Sequence, residues 1–136
     1  MRLWHKDLIP VLPRQQLLSQ WRECCCIARN ITINGTPNHI LVNKILDYPA
    51  CEFNRYALLV YDEIKKRGYA CDWRKFTKWR SNINIKESAD IFDGWHDNRY
   101  LIQCFYNLQE KYDCGGISFD EWMNVINYME KEVFKI

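Results

Sequence analysis

Glycine and proline are scarce, five and four in 136 residues, and neither is concentrated in any segment. No flexible linker divides the chain, and no repeat or low-complexity tract marks a solenoid or a disordered arm. The sequence therefore reads as one domain over residues 1–136. Apolar runs are short too; none approaches the roughly 18 residues that a membrane span needs. Asp7, Pro10 and Pro13 interrupt the opening stretch, so a signal peptide is not expected and a cytoplasmic protein is. Seven cysteines are present, but no two have the two-residue spacing that brings a pair of thiolates onto one metal. No zinc site is expected. Cys24, Cys25 and Cys26 would point in different directions on a helix and read as packed, reduced thiols.

What is present suits a globular core, with 48% hydrophobic and 15% aromatic residues. Net charge is only +2, but it is unevenly placed. Residues 1–86 hold fifteen Lys/Arg against seven Asp/Glu, and residues 87–136 hold four against ten. That asymmetry points to a basic face for a polyanion, unless the fold interleaves the two halves.

Apolar spacing predicts helices and almost no strand. Residues 1–12 read as an extended segment. Pro13 suits a first helical turn, and Leu17, Leu18, Trp21, Cys25 and Ala28 recur at helical spacing up to the Asn34-Gly35 turn signal. Residues 36–48 are ambiguous between loop and short helix. A second helix follows Pro49, with Phe53, Tyr56, Ala57, Val60 and Ile64 on one stripe and Gly68 as its stop. Asp72 is a candidate cap for a short helix over 72–80, and 81–96 reads as loop. Asp97 is placed to cap a helix from Asn98 to about Lys111. Ser118 to Glu121 forms a capping-box pattern for a last helix reaching about Val133. The expectation is a compact all-α bundle of about five helices.

Three stretches carry possible chemistry. Gly115 to Trp122 has the rear half of a calcium-binding loop ending in Glu121, but the liganding positions fall on Glu110, Tyr112 and Cys114. Tyrosine and cysteine suit a hard cation badly, and a plain helix cap accounts for the pattern. Residues 73–80 interleave Arg74, Lys75, Lys78 and Arg80 with three aromatics. Cations there can neutralise phosphates and aromatics can stack on unpaired bases, or the aromatics can be core and the cations a solvated face. His5, His39 and His96 are scattered, with no helical pairing to suggest a metal or a triad.

The third stretch is the most specific. Met1-Arg2-Leu3-Trp4 leads through Gln15-Gln16-Leu17 to Trp21-Arg22-Glu23 on the first helix. These residues resemble the pyrimidine-dimer DNA glycosylase family, the phage endonuclease V type. That family opens with an amine-bearing residue and an arginine, then carries Gln-x-Leu and an aromatic-Arg-Glu triplet. The specific similarity covers about the first 30 residues and continues diffusely to about residue 72, with Lys66-Arg67-Gly68-Tyr69 as a weaker echo.

The resemblance implies a DNA repair glycosylase with abasic-site lyase activity. In that family the N-terminal amine attacks the sugar C1′ of a damaged nucleotide, forms a Schiff base and breaks the strand by β-elimination. By position, Met1 supplies the amine and Glu23 the acid/base carboxylate, while Arg2, Gln15 and Arg22 hold the substrate; Lys75 and Lys78 are added from the basic-aromatic stretch. No metal or cofactor is implied. The implied partner is double-stranded DNA with a damaged base, a pyrimidine dimer by family default, and the implied state is a monomer.

The residue types suit this chemistry. An α-amine ordinarily titrates near about 7.7–8.0 against about 10.4 for lysine, so more of it is a free nucleophile at neutral pH. A carboxylate can stabilise a cationic sugar and move protons, and arginines grip phosphates in a fixed fork. Two departures stand out. The phage enzymes attack with a threonine amine exposed by loss of the initiator Met, whereas Arg2 here is bulky and keeps Met1 as the nucleophile. Cys26 replaces a further helix arginine, which leaves the choice of lesion open. Two alternatives differ in kind: a non-enzymatic nucleic-acid-binding helical module, and an interaction domain docking through its acidic last helix.

Overall fold

In the computed structural model, which describes residues 1–80 and 83–135, the fold is all-α and contains no strand among those residues. Helix α1 (Arg14–Asn34) buries Leu17, Gln20, Trp21, Cys24, Ile27 and Ala28, one stripe at three- and four-residue spacing. It packs on α2 (Ala50–Lys66), whose inner stripe includes Phe53, Tyr56, Ala57, Val60 and Ile64. Gly68 ends α2 in the left-handed region at φ 86°. Its N–H donates to the Lys65 carbonyl, and that of Tyr69 donates to Ile64. These are the paired bonds of a glycine stop that any L side chain would strain.

Helix α3 (Arg74–Thr77) is one turn, shorter than the span expected over 72–80. Trp73, not Asp72, holds the cap position, and Asp72 sits one residue earlier, accepting the Arg74 N–H at 3.0 Å. The turn's aromatics join the core. Trp73 stacks on Phe76 at 5.3 Å and on Trp21 of α1 at 5.9 Å. Of the loop expected over 81–96, residues 81 and 82 lie outside the described residues; 83–96 is irregular and buries Ile91, Phe92, Trp95 and His96.

Asp97 caps α4 (Asn98–Asp113) through the Tyr100 N–H, and Ser118 caps α5 (Phe119–Met129) through that of Glu121. Beyond Met129 the chain continues as one wider π turn over Glu130–Phe134. Glu121 pairs with Ser118 as the capping box expects, its N–H donating to Ser118 Oγ at 3.2 Å and its carboxyl held in turn by the Ser118 backbone, and it does more. Its Oε1 accepts from the Ser118 hydroxyl and its Oε2 accepts the Arg14 N–H at 2.6 Å. Pro13 offers α1 no side-chain cap, so α5 supplies one from across the fold. Burial pushes the Glu121 carboxyl up, but these hydrogen bonds outweigh it and hold it below its ordinary value. That use of Glu121 also answers the calcium-loop pattern, in which it would be the terminal ligand.

The segment over 1–12 is extended only through residue 5. Lys6–Val11 winds into a 3-10 helix that packs on α2 and α5 and buries Leu8 and Ile9. A second 3-10 turn, Asn43–Asp47, resolves the ambiguous stretch before α2.

Candidate active site

Residues 1–5 have no neighbouring strand, so side chains satisfy their backbone. Gln20, 1% exposed, is the centre of this arrangement. Its Oε1 accepts the Trp4 N–H at 2.8 Å and lies 3.2 Å from the Tyr56 hydroxyl. Its Nε2 donates to the Arg2 carbonyl at 3.0 Å and to Glu23 Oε2 at 3.3 Å. Glu23 Oε2 also accepts the Arg2 N–H at 3.3 Å. The hydroxyls of Tyr56 and Tyr100 reach the carbonyls of Trp4 and Leu3, both at 2.6 Å. Burial pushes both phenols well above their ordinary range, which keeps them as O–H donors.

This strap, residues 2–5, ends at a two-histidine core that sequence spacing did not reveal. His5 and His96 stack with ring centres 5.0 Å apart. Nδ1 of His96 accepts the Lys6 N–H at 3.0 Å, and Nδ1 of His5 accepts that of Asp7 at 3.1 Å. Each ring therefore carries its proton on Nε2. Burial, with His5 and Lys6 nearby, lowers His96 to about 2, and burial outweighs Asp7 to lower His5 as well.

One residue beyond the strap, Met1 emerges 40% exposed. Met1, Arg2 and Glu23 line one cavity of about 250 Å³ together with Leu41, Asn107 and Lys111. A neighbouring cavity of about 230 Å³ shares Arg2 and Leu41 and adds Lys44, Arg99 and Gln103. The far wall is thus a single face of α4, with Arg99, Gln103, Asn107 and Lys111 spaced four apart over roughly 18 Å of helix. The Arg2 guanidinium lies 5.6 Å from the Trp4 ring centre. The arrangement gathers the first residue, a carboxylate and several cations around one polar cleft, which suits a sugar-phosphate substrate.

The other residues expected at a site fall outside this cleft. Gln15 is exposed on α1, eight residues or roughly 12 Å along the helix from Glu23, in a groove with Tyr69 and Gly116. The glutamine that touches Arg2 and Glu23 is Gln20. Arg22 points to solvent, its guanidinium donating to Ser19 Oγ at 3.1 Å. Lys75 and Lys78 lie by Cys25, a thiol that burial and Cys71 push up to about 11 and those lysines pull down. Cys25 is about 200° around α1 from Glu23, so both lysines sit on the opposite side of that helix. Phe76 is buried and Trp73 packs on it and on Trp21, while Trp79 stays partly exposed. Among the described residues, no group of three or more His, Cys, Asp or Glu is gathered to hold a metal ion.

The wall that sequence reasoning missed, Arg99 to Lys111, was signalled by polar residues at four-residue spacing on a clear helix. It lay in the acidic half of the chain, past the recognisable motifs. Yet two of that half's four cations line the cleft.

Residues 1–76 match the protein family described as pyrimidine dimer DNA glycosylase; they carry α1, α2 and the cluster of Met1, Arg2 and Glu23. Fold and matching region together define a helical enzyme of the DNA-repair glycosylase class. The chain belongs to the pyrimidine dimer DNA glycosylase family. No curated protein and no solved structure matches it. No helix is long and apolar enough to cross a membrane among the described residues.

Proposed function

We propose that the protein excises a damaged base from double-stranded DNA and then cuts the strand, with the Met1 amine as nucleophile and Glu23 as the acid/base group. The observation that carries this reading is the shared cavity of Met1, Arg2 and Glu23, with Gln20 bonded to both the strap and the carboxylate. The amine lone pair bonds to C1′ as the N-glycosidic bond breaks, and the base leaves with that electron pair and takes up a proton. Opening of the sugar ring at O4′, with loss of the amine protons, leaves an imine at C1′. A proton is then removed from C2′, and the electrons expel the 3′ phosphate in a β-elimination.

Glu23 stabilises the cationic sugar and moves these protons. Both of its hydrogen bonds fall on Oε2, which leaves Oε1 for the substrate. Arg2, Lys44, Arg99 and Lys111 hold the phosphates around the lesion, while Arg22, Lys75 and Lys78 contact the flanking backbone. The amine provides the nucleophile, so the reaction calls on no metal or cofactor. The substrate is a pyrimidine dimer, acted on by a monomer.

Incubation with a duplex carrying one cyclobutane pyrimidine dimer tests the proposal. Strand scission at the dimer is expected, absent from undamaged duplex and lost in Glu23→Gln while binding is kept. Equal cleavage by Glu23→Gln, or none by the folded parent protein, overturns it.

A further inference from the structure

The segment between α1 and the Asn43 turn ends in two aliphatic side chains that the fold leaves out. Ile40 is 84% exposed and Leu41 50%. Such a tip could be loose, but this one is fastened. Asn43 Oδ1 accepts the His39 N–H at 3.1 Å and the Thr36 hydroxyl at 3.3 Å, and Thr36 Oγ1 accepts the Asn38 N–H at 3.1 Å. Asn30 ties the Pro37 carbonyl from α1 at 3.3 Å, and the His39 carbonyl accepts the N–H groups of both Val42 and Asn43. Pro37 and Val42 are buried on either side. Two large apolar side chains are therefore held out in water, and the folded chain forgoes the gain that burying them brings.

Their position names the partner. Leu41 lines the cavity that holds Met1 and Glu23, and both residues line the adjoining one with Arg2. Lys44 lies in the following turn, with Arg99 and Lys111 across the cleft. An apolar tip rimmed by cations fits a place where phosphates flank a surface of low polarity. In duplex DNA that surface is the interior of the base stack, reached where a step has been opened. A damaged step is the cheapest one to open.

We propose that Ile40 and Leu41 are a wedge that enters the base stack at the lesion and fills the gap as the target sugar is drawn to Met1 and Glu23. This rests on the reading of the protein as a DNA glycosylase, and it adds a means of opening the duplex that the amine and carboxylate do not provide. The wedge matters only where bases are stacked. Single-stranded substrate does not need it.

The test uses the full chain and two readouts. The first is fluorescence of 2-aminopurine placed beside a tetrahydrofuran abasic analogue in a duplex, at saturating protein. The parent protein is expected to raise the signal, and Ile40→Ser to lose most of that rise, with Ile40→Phe restoring it. The second is borohydride trapping on abasic sites in duplex and in single-stranded DNA. Ile40→Ser is expected to lose about tenfold more on the duplex than on the single strand. Equal fluorescence from parent and Ile40→Ser, or equal losses on both substrates, overturns the wedge. Failure of the parent to trap any abasic DNA would strike the amine chemistry instead, and the fluorescence would still decide on the wedge.

Discussion

At the scale of single residues, Gln20 does what no catalytic motif records. Its Oε1 accepts from Trp4 and its amide donates to both Arg2 and Glu23. Gln20→Leu keeps roughly the same volume but orphans the Trp4 N–H and the Arg2 carbonyl. It should cost about 2–4 kcal/mol of stability by urea denaturation and lower cleavage well beyond that of Gln15→Leu. Comparable activity of the two variants would contradict this. The sequence held a hint, because Gln20 shares the apolar stripe of Leu17, Trp21 and Cys24 and a polar residue there needs partners. Motif spacing drew attention to Gln15 instead. The histidines were less legible, since His5 and His96 lie 91 positions apart and meet only through the fold. Their neutral burial has a signed consequence. Below pH ~6.5 the unfolded chain takes up protons that folded His96, lowered to about 2, refuses, so stability falls as pH falls. From pH 7 to pH 5 His96 alone should account for a loss of about 2 kcal/mol, with His5 adding in the same direction. Urea midpoints across that range should drop more steeply for the parent than for His96→Gln; parallel curves would count against it.

Among the elements, the helices and their stops were largely legible. α1, α2, α4 and α5 follow apolar spacing, and the stops at Gly35 and Gly68 are local chemistry carried by adjacent residues. What local signals could not show was Glu121 acting as the cap of α1, since that depends on two termini meeting in space. Glu121→Ala should therefore destabilise by about 1–2 kcal/mol, more than an ordinary exposed glutamate would, as read from the thermal midpoint. α4 makes the functional prediction at this scale. If its cationic ends meet phosphate, Arg99→Gln together with Lys111→Gln should reduce the salt slope of DNA binding by about 2. Lys75→Ala with Lys78→Ala, on the other side of α1, should weaken binding yet leave cleavage at saturating DNA nearly intact. An unchanged salt slope in the α4 pair would remove that helix from the interface.

For the whole molecule, the cleft draws on both parts of a chain whose charge is unevenly divided. The basic first part brings the amine, Arg2 and Glu23, and the acidic second part brings the α4 wall that completes the cleft. The all-α fold was visible because helical period and caps are local. The route of the first five residues was not, because Gln20, Tyr56 and Tyr100 bind them from 16 to 97 positions away. That route brings Met1 to the cavity that Glu23 lines, and the central proposal is that the Met1 amine is the nucleophile. Borohydride reduction of the untagged protein on a duplex with one abasic site tests it most directly. A covalent protein–DNA adduct should form, map to Met1 by peptide mass and disappear when the α-amine is blocked by acetylation. An adduct that survives the block, or none from folded protein that still binds the duplex, would contradict it.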